Sequence, residues 1–150
     1  MIGLVQRVTE AGVSVGGERI ATIGRGLLAL VAVEADDTEA DVARLAERIL
    51  TYRIFPDTHD RMNKSLLDEG LELLLVPQFT LAANTRKGTR AGFAQAAAPG
   101  MAREYFARLL GVCRERIPGA QSGEFGADMQ VNLINDGPVT FWLQTAQRRS

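Results

Sequence analysis

Gly26-Leu27-Leu28-Ala29-Leu30-Val31-Ala32-Val33 carries no polar side chain from end to end. A strand covered on one face alternates apolar with polar residues. This run does not, so it reads as a central strand buried on both faces. Downstream, the spacing predicts a helix from about Thr38 to Arg53, with Thr38 as N-cap. Val42, Leu45, Ala46, Ile49, Leu50 and Arg53 recur at helical spacing, apolar up to Leu50. Glu34, Asp36, Asp37, Glu39 and Asp41 crowd the start of that helix. Its dipole accounts for them, whereas the alternative, a divalent-cation site, lacks calcium-loop spacing. Upstream, Ile2, Leu4 and Gln6 share one strand face and Val5 and Arg7 the other. Val13-Ser14-Val15, Gly16-Gly17 and Glu18-Arg19-Ile20 read as a hairpin, because paired glycines supply the positive φ values of a tight primed turn.

Phe55 to Gly70 is polar and turn-rich and holds His59. Leu71-Glu72-Leu73-Leu74-Leu75-Val76 reads as a second buried strand, and Ala82 to Gly100 as a long loop carrying Arg86, Lys87 and Arg90. Pro99 suits the first turn of a second helix running to about Ile117, with Tyr105, Phe106, Leu109, Leu110 and Cys113 on or beside its inner face. Met129, Val131 and Leu133, then Val139, Phe141 and Leu143, alternate with polar or outward residues as strands do. The order predicts a single mixed α/β domain over residues 1–150, with twisted β-sheets and helices packed outside. There is no close internal repeat, linker or low-complexity tract.

A chain of 150 residues, 46% hydrophobic, can build a core without disulfide or metal staples. Cys113 alone excludes an internal disulfide and any multi-cysteine zinc site, and its apolar helical setting suits a packed thiol. The first residues lack the basic-then-apolar pattern of a secretory signal, and the longest apolar run is too short to cross a bilayer. A cytoplasmic location and no membrane partner are therefore expected. Net charge is −1, so no global field draws in nucleic acid. DNA is not expected as a partner, and RNA contact requires a local basic patch. With one His and no ligand-spaced cluster, no metal and no cofactor are expected. An enzyme built from this chain must rely on main-chain groups and a few hydroxyls and amides.

Two segments remain that could carry chemistry. In Val76-Pro77-Gln78-Phe79-Thr80-Leu81, Thr80 is read locally as a β-former and Phe79 as a core ring. No neighbouring His activates Thr80, and an unassisted threonine hydroxyl is a weak nucleophile. A Ser/His/Asp-type arrangement on His59 is the other possibility. In Asn135-Asp136-Gly137-Pro138-Val139-Thr140-Phe141-Trp142, Gly137-Pro138 reads locally as a turn between two strands. An X-Pro bond is cis in only about 5–6% of cases. Arg86, Lys87 and Arg90 suit either a solvated loop or phosphate contact beside the first segment.

Together these segments resemble the D-aminoacyl-tRNA deacylases, which remove D-amino acids from tRNA. The resemblance covers nearly the entire chain. It runs through Met1-Ile2-Gly3-Leu4-Val5-Gln6-Arg7-Val8, Gly26-Leu27-Leu28, Tyr52-Arg53-Ile54-Phe55, Arg61-Met62-Asn63 and Gln78-Phe79-Thr80-Leu81. It continues in Gly123-Glu124-Phe125-Gly126-Ala127-Asp128-Met129-Gln130-Val131 and in Asn135 to Trp142. It implies a homodimer in which Gly137-Pro138, joined by a cis bond, enters the partner's site and screens chirality. It also implies that Gln78, Phe79 and Thr80 line the pocket for the aminoacylated 3′-terminal adenosine, and that glycine mischarged on alanine tRNA is removed too.

Elementary chemistry agrees with that implied mechanism. An aminoacyl ester is labile, so main-chain N–H groups around Phe79 and Thr80 are adequate oxyanion donors. The substrate's ribose 2′-hydroxyl could help to activate water, which removes the need for a protein base. A wall of main-chain carbonyls at Gly137 and Pro138 would exclude the Cβ of an L-residue while admitting a D-residue or glycine. Two departures stand out. The family usually has serine where this chain has Pro77, so no catalytic role falls on that position. Ala91-Gly92 replaces a more usual Pro-Ser, a change expected to loosen the basic loop. The alternatives are a catalytically impaired module on the same fold, binding nucleic acid or protein, and a hydrolase of small D-amino acid esters with no RNA requirement.

Overall fold

The structure, a computed structural model, describes residues 1–145. Strand β1 (Ile2–Val15) passes through Gly16 and Gly17, at φ 58° and 80°, into β2 (Glu18–Ile23), with Val15 opposite Glu18. The paired glycines form the expected hairpin. Strand β3 (Gly26–Ala32) lies between β1, antiparallel, and β6 (Glu72–Pro77), parallel, and only Leu30 of its residues is not fully buried. Leu27, Ala29 and Val31 join one core, and Leu28 joins the other. An unbroken apolar run is what a strand with two buried faces requires.

Helices α1 (Glu39–Thr51) and α3 (Pro99–Arg116) pack together over one face of the sheet. Val42, Leu45, Ala46, Ile49 and Leu50 form the buried stripe of α1, and Ala102, Phe106, Leu109 and Cys113 that of α3. Thr38 is the N-cap of α1, its N–H donating to Asp41 Oδ2 at 2.8 Å. The helix stops before Arg53, where Tyr52 turns to extended backbone (ψ 133°) and sets its ring 5.6 Å from that of Phe141. Three of the surrounding acids are engaged: Asp37 Oδ1 and Glu34 Oε1 lie 2.6 and 3.5 Å from the Met1 ammonium, and Glu39 pairs with Arg108.

On the opposite face Val8, Ala11, Val13, Ala21 and Ile23 of β1 and β2 pack against Leu28, Leu74 and Val76. The sheet therefore folds back on itself and encloses a second core. The segment Phe55 to Gly70 holds more structure than its polarity suggests. It contains a small hairpin of β4 (Phe55–Pro56) and β5 (Met62–Lys64) and a short helix α2 (Leu66–Glu69). Ser65 and Asp68 form a reciprocal capping box at the start of α2, and Gly70 closes it at φ 61°.

The C-terminal region corrects an expectation. Instead of two strands joined by a turn at Gly137-Pro138, one strand, β8 (Met129–Gln144), follows the short β7 (Gln121–Ser122). It pairs antiparallel with β1 from Val15 opposite Met129 to Ile2 opposite Gln144. The register breaks once Val8 has met Asn135 and resumes where Gln6 meets Thr140. Asp136, Gly137, Pro138 and Val139 therefore stand opposite Arg7 alone, and the excess chain bows outward as an enlarged bulge. Among the described residues β1 is the only strand beside β8, so the outer edge of β8 carries no partner. No helix among them is long and apolar enough to cross a membrane.

Candidate active site

The site begins where β6 ends. Side-chain and amide directions alternate along a strand, and Gln78 N–H donates to Val31 O of β3 at 2.7 Å. Position 77 therefore faces β7, whose ladder ends at Ser122, with Gly123 N–H donating to Leu75 O at 2.8 Å. Pro77 stands where the sheet needs no donor, so the backbone accepts it without losing a ladder bond.

Beyond Gln78 the chain winds into a single 3-10 turn, Phe79–Ala82, closed by Leu81 N–H on Gln78 O and Ala83 N–H on Thr80 O. The N–H groups of Phe79 and Thr80 precede the first of these bonds, and no backbone carbonyl among the described residues accepts from them. Gln78 Nε2 donates to Thr80 Oγ1 at 2.5 Å, which sets the amide over the turn. Thr80 is thus a turn residue rather than a strand residue. Phe79 is 58% exposed, so the reading of it as a core ring is overturned.

Pro77, Gln78 and Phe79 line one side of a cavity of about 460 Å³. Pro99 and Ala102 from the start of α3 contribute to the wall, as do Phe125, Met129 and Val131. Arg103 lies over the Phe125 ring at 4.9 Å and brings a cation beside this wall. Gly123 allows the close packing behind it, since a Cβ there would fall 2.7 Å from Met129 Sδ.

Gly137 and Pro138 lie elsewhere. Both are exposed, neither lines the cavity of its own chain, and their peptide bond is cis. The bulge is held at two points. Arg7 Nε donates to Asp136 O at 2.9 Å while Arg7 Nη1 donates to Ile54 O at 2.9 Å. At the base, Asn135 Oδ1 accepts from Val139 N–H at 2.6 Å and Asn135 Nδ2 donates to Thr140 Oγ1 at 2.9 Å. Sequence reasoning gave Arg7 no role. Its signal was a lone cation on the same strand face as Val5, which is buried.

The basic loop is closed by reciprocal bonds between Asn84 and Gly92, N–H to O at 2.7 and 2.9 Å. Gly92 makes both of them, so the substitution of Ala91-Gly92 for Pro-Ser leaves this closure in place. Arg86, Lys87 and Arg90 are exposed in the enclosed segment. His59 is exposed and does not line the cavity; its N–H donates to Asp57 Oδ1 at 2.8 Å. Hydrogen bonds from Asn63, Arg61 and His59 hold the Asp57 carboxyl below its ordinary value. Burial pushes the Cys113 thiol up to about 12.

Known proteins resemble the chain over nearly its whole length. The family model described as D-Tyr-tRNA(Tyr) deacylase matches residues 4–144. The D-aminoacyl-tRNA deacylase of Alkalilimnicola ehrlichii is 60% identical over 144 residues, 96% of each chain. That of Thioalkalivibrio sulfidiphilus is 57% identical over 150 residues, 99% of this chain and 100% of the relative. A solved structure described as c-Myc DNA Unwinding Element Binding Protein superposes with a TM-score of 0.93 at 38% identity, covering 98% of this chain and 100% of the other. A probable eukaryotic D-amino acid tRNA deacylase shares the fold, with a TM-score of 0.85 at 17% identity and coverage of 95% and 97%. Through a match that reaches from β1 to the end of β8, at identities of 57% and 60% over nearly full length, the chain belongs to the D-Tyr-tRNA(Tyr) deacylase family.

Proposed function

We propose that this protein is a cytoplasmic aminoacyl-tRNA editing hydrolase that cleaves the ester of D-aminoacyl-tRNA to free D-amino acid and tRNA. The observation that carries the reading is a nucleoside-sized cavity lined by Phe79, at the start of a 3-10 turn that leaves the N–H groups of Phe79 and the adjacent Thr80 without a backbone acceptor. In this reading the terminal adenosine occupies the cavity and the acyl carbonyl lies over the 3-10 turn. Water attacks the carbonyl carbon. The resulting oxyanion accepts from the Phe79 and Thr80 N–H groups, and the ester C–O bond then breaks to release the ribose oxygen. The ribose 2′-hydroxyl relays a proton from the attacking water to the departing 3′-oxygen, so no protein base is required. Gln78 helps to seat the partner's loop, and Arg86, Lys87 and Arg90 meet the RNA phosphates.

Chirality is screened by a second copy of the chain. Gly137 and Pro138 are exposed and absent from their own cavity, so any cavity they reach belongs to another molecule. Ile134 and Trp142, 53% and 51% exposed, flank them on an unpaired strand edge that a homodimer would cover. The carbonyls of Gly137 and Pro138, on a bulge that Arg7 holds at Asp136 and Asn135 holds at Val139, would clash with the Cβ of an L-aminoacyl group. A D-residue passes, and so does glycine, which extends the activity to glycine mischarged on alanine tRNA.

Pro77 favours one competing reading, a catalytically impaired binding module, since it lines the cavity without a hydroxyl or an N–H. Hydrolysis of D-Tyr-tRNA by the native protein and by Pro77→Ser separates the two. Cleavage by the native protein supports the hydrolase. Cleavage by the Pro77→Ser variant alone supports the impaired module.

A further inference from the structure

Apolar surface continues outward from the mouth of the cavity. Phe93 stands just after the Asn84–Gly92 closure, is 44% exposed, and lies 5.3 Å from the Phe79 ring at a tilt of 50°. Its limb is fixed, because Ala35 N–H donates to Gln95 O at 2.9 Å and Ala97 N–H to Val33 O at 3.0 Å. Two large rings are thus held in water beside a pocket, one of them lining it. On the same loop Arg86, Lys87 and Arg90 are exposed, and none pairs with a carboxylate among the described residues. Open aromatic faces beside uncompensated cations are the arrangement by which proteins hold single-stranded nucleic acid: bases stack on the rings and phosphates follow the cations.

We propose that Phe93, braced by Phe79, is a stacking platform for the nucleobase immediately 5′ of the terminal adenosine, with the phosphate that joins these two nucleotides and the one before it passing to Arg86, Lys87 and Arg90. The ligand class is a single-stranded RNA 3′ end. The proposal rests on the reading that the terminal adenosine occupies the cavity. It adds a subsite beyond that nucleoside, and so a reason for the enzyme to prefer tRNA over a bare aminoacyl nucleoside.

The test uses two substrates with the same acyl group, D-Tyr-tRNA and 3′-O-D-tyrosyl adenosine, and the full-length variants Phe93→Leu and Phe93→Trp. Leucine keeps apolar bulk but has no π face. In Phe93→Leu the ratio of kcat/KM for tRNA to that for the adenosine ester falls at least about tenfold, through KM. Phe93→Trp restores it. An equal effect on both substrates, or on neither, overturns the platform. So does a change of oligomeric state in Phe93→Leu on sedimentation, which would assign the rings to a subunit contact. If the native protein cleaves neither substrate, the catalytic reading fails separately. The platform is then decided by fluorescence anisotropy of a labelled RNA ending in CCA. Binding weakened at least about tenfold by Phe93→Leu supports it, and unchanged binding overturns it.

Discussion

Arg7 and Asp136 are joined across the break in the β1–β8 ladder: the Arg7 guanidinium donates to the Asp136 carbonyl at 2.9 Å and lies 3.6 Å from its carboxylate. One β1 residue thereby holds a bulge of four β8 residues. The same guanidinium bonds the Ile54 carbonyl, so the bulge is tied to the segment that follows α1 as well as to its own sheet. Replacing Arg7 with methionine removes these charge-assisted bonds and leaves the carbonyls to find other partners. Stability in urea is expected to fall by about 1.5–3 kcal/mol. Discrimination between D- and L-tyrosyl esters should fall about tenfold or more, measured on a folded variant that keeps the oligomeric state of the native protein.

Gly137 occupies φ 145°, and a Cβ there would lie 2.6 Å from Val139 Cγ2 and 2.9 Å from Val139 N. Gly137→Ala must therefore move the backbone of the bulge. Cleavage of D-Tyr-tRNA should drop by about tenfold or more, because a shift of about 1 Å in a positioning element costs that much or more. Circular dichroism should show the fold intact. Full activity in this variant would mean that the bulge does not bear on substrate.

His59 lies in a turn away from the cavity lining, so substrate-assisted hydrolysis needs nothing from it. His59→Ala should keep kcat within about twofold of the native value. A loss of about a hundredfold or more would install His59 as the missing base and discard the role given to the ribose hydroxyl.

Cys113 is fully buried in the α1–α3 core, and burial raises its thiol to about 12. A raised value means that the neutral thiol persists through neutral and mildly alkaline pH. The native protein should resist a thiolate-directed disulfide reagent at pH 8 and react fully once unfolded in guanidinium. Rapid labelling of the native state would show that this core opens readily.

The parts legible in the sequence are those set by periodicity. The unbroken apolar run of β3, the stripe of α1 and the glycine pair before β2 each have one physical solution, and each was found. Short elements such as β4 and β5 carry too few residues to show a period, and only the Ser65-to-Asp68 spacing marked α2. Local sequence splits β8 into two strands because Gly137-Pro138 is an ordinary turn signal, and continuity comes from β1, more than a hundred residues away. Hydrophobicity points Phe79 to the core because it does not say which way a ring faces at the end of a strand. For Gln78, Phe79, Thr80, Gly137 and Pro138, function was suggested by resemblance to a family rather than by local pattern. The part of Arg7 emerged only when the ladder register was known.

The most direct test of the account is the ratio of initial rates at which the purified protein releases D-tyrosine and L-tyrosine from the same tRNA at equal concentration. The account predicts rapid loss of the D-ester while the L-ester decays no faster than in buffer alone. Equal enzymatic loss of both esters would contradict it.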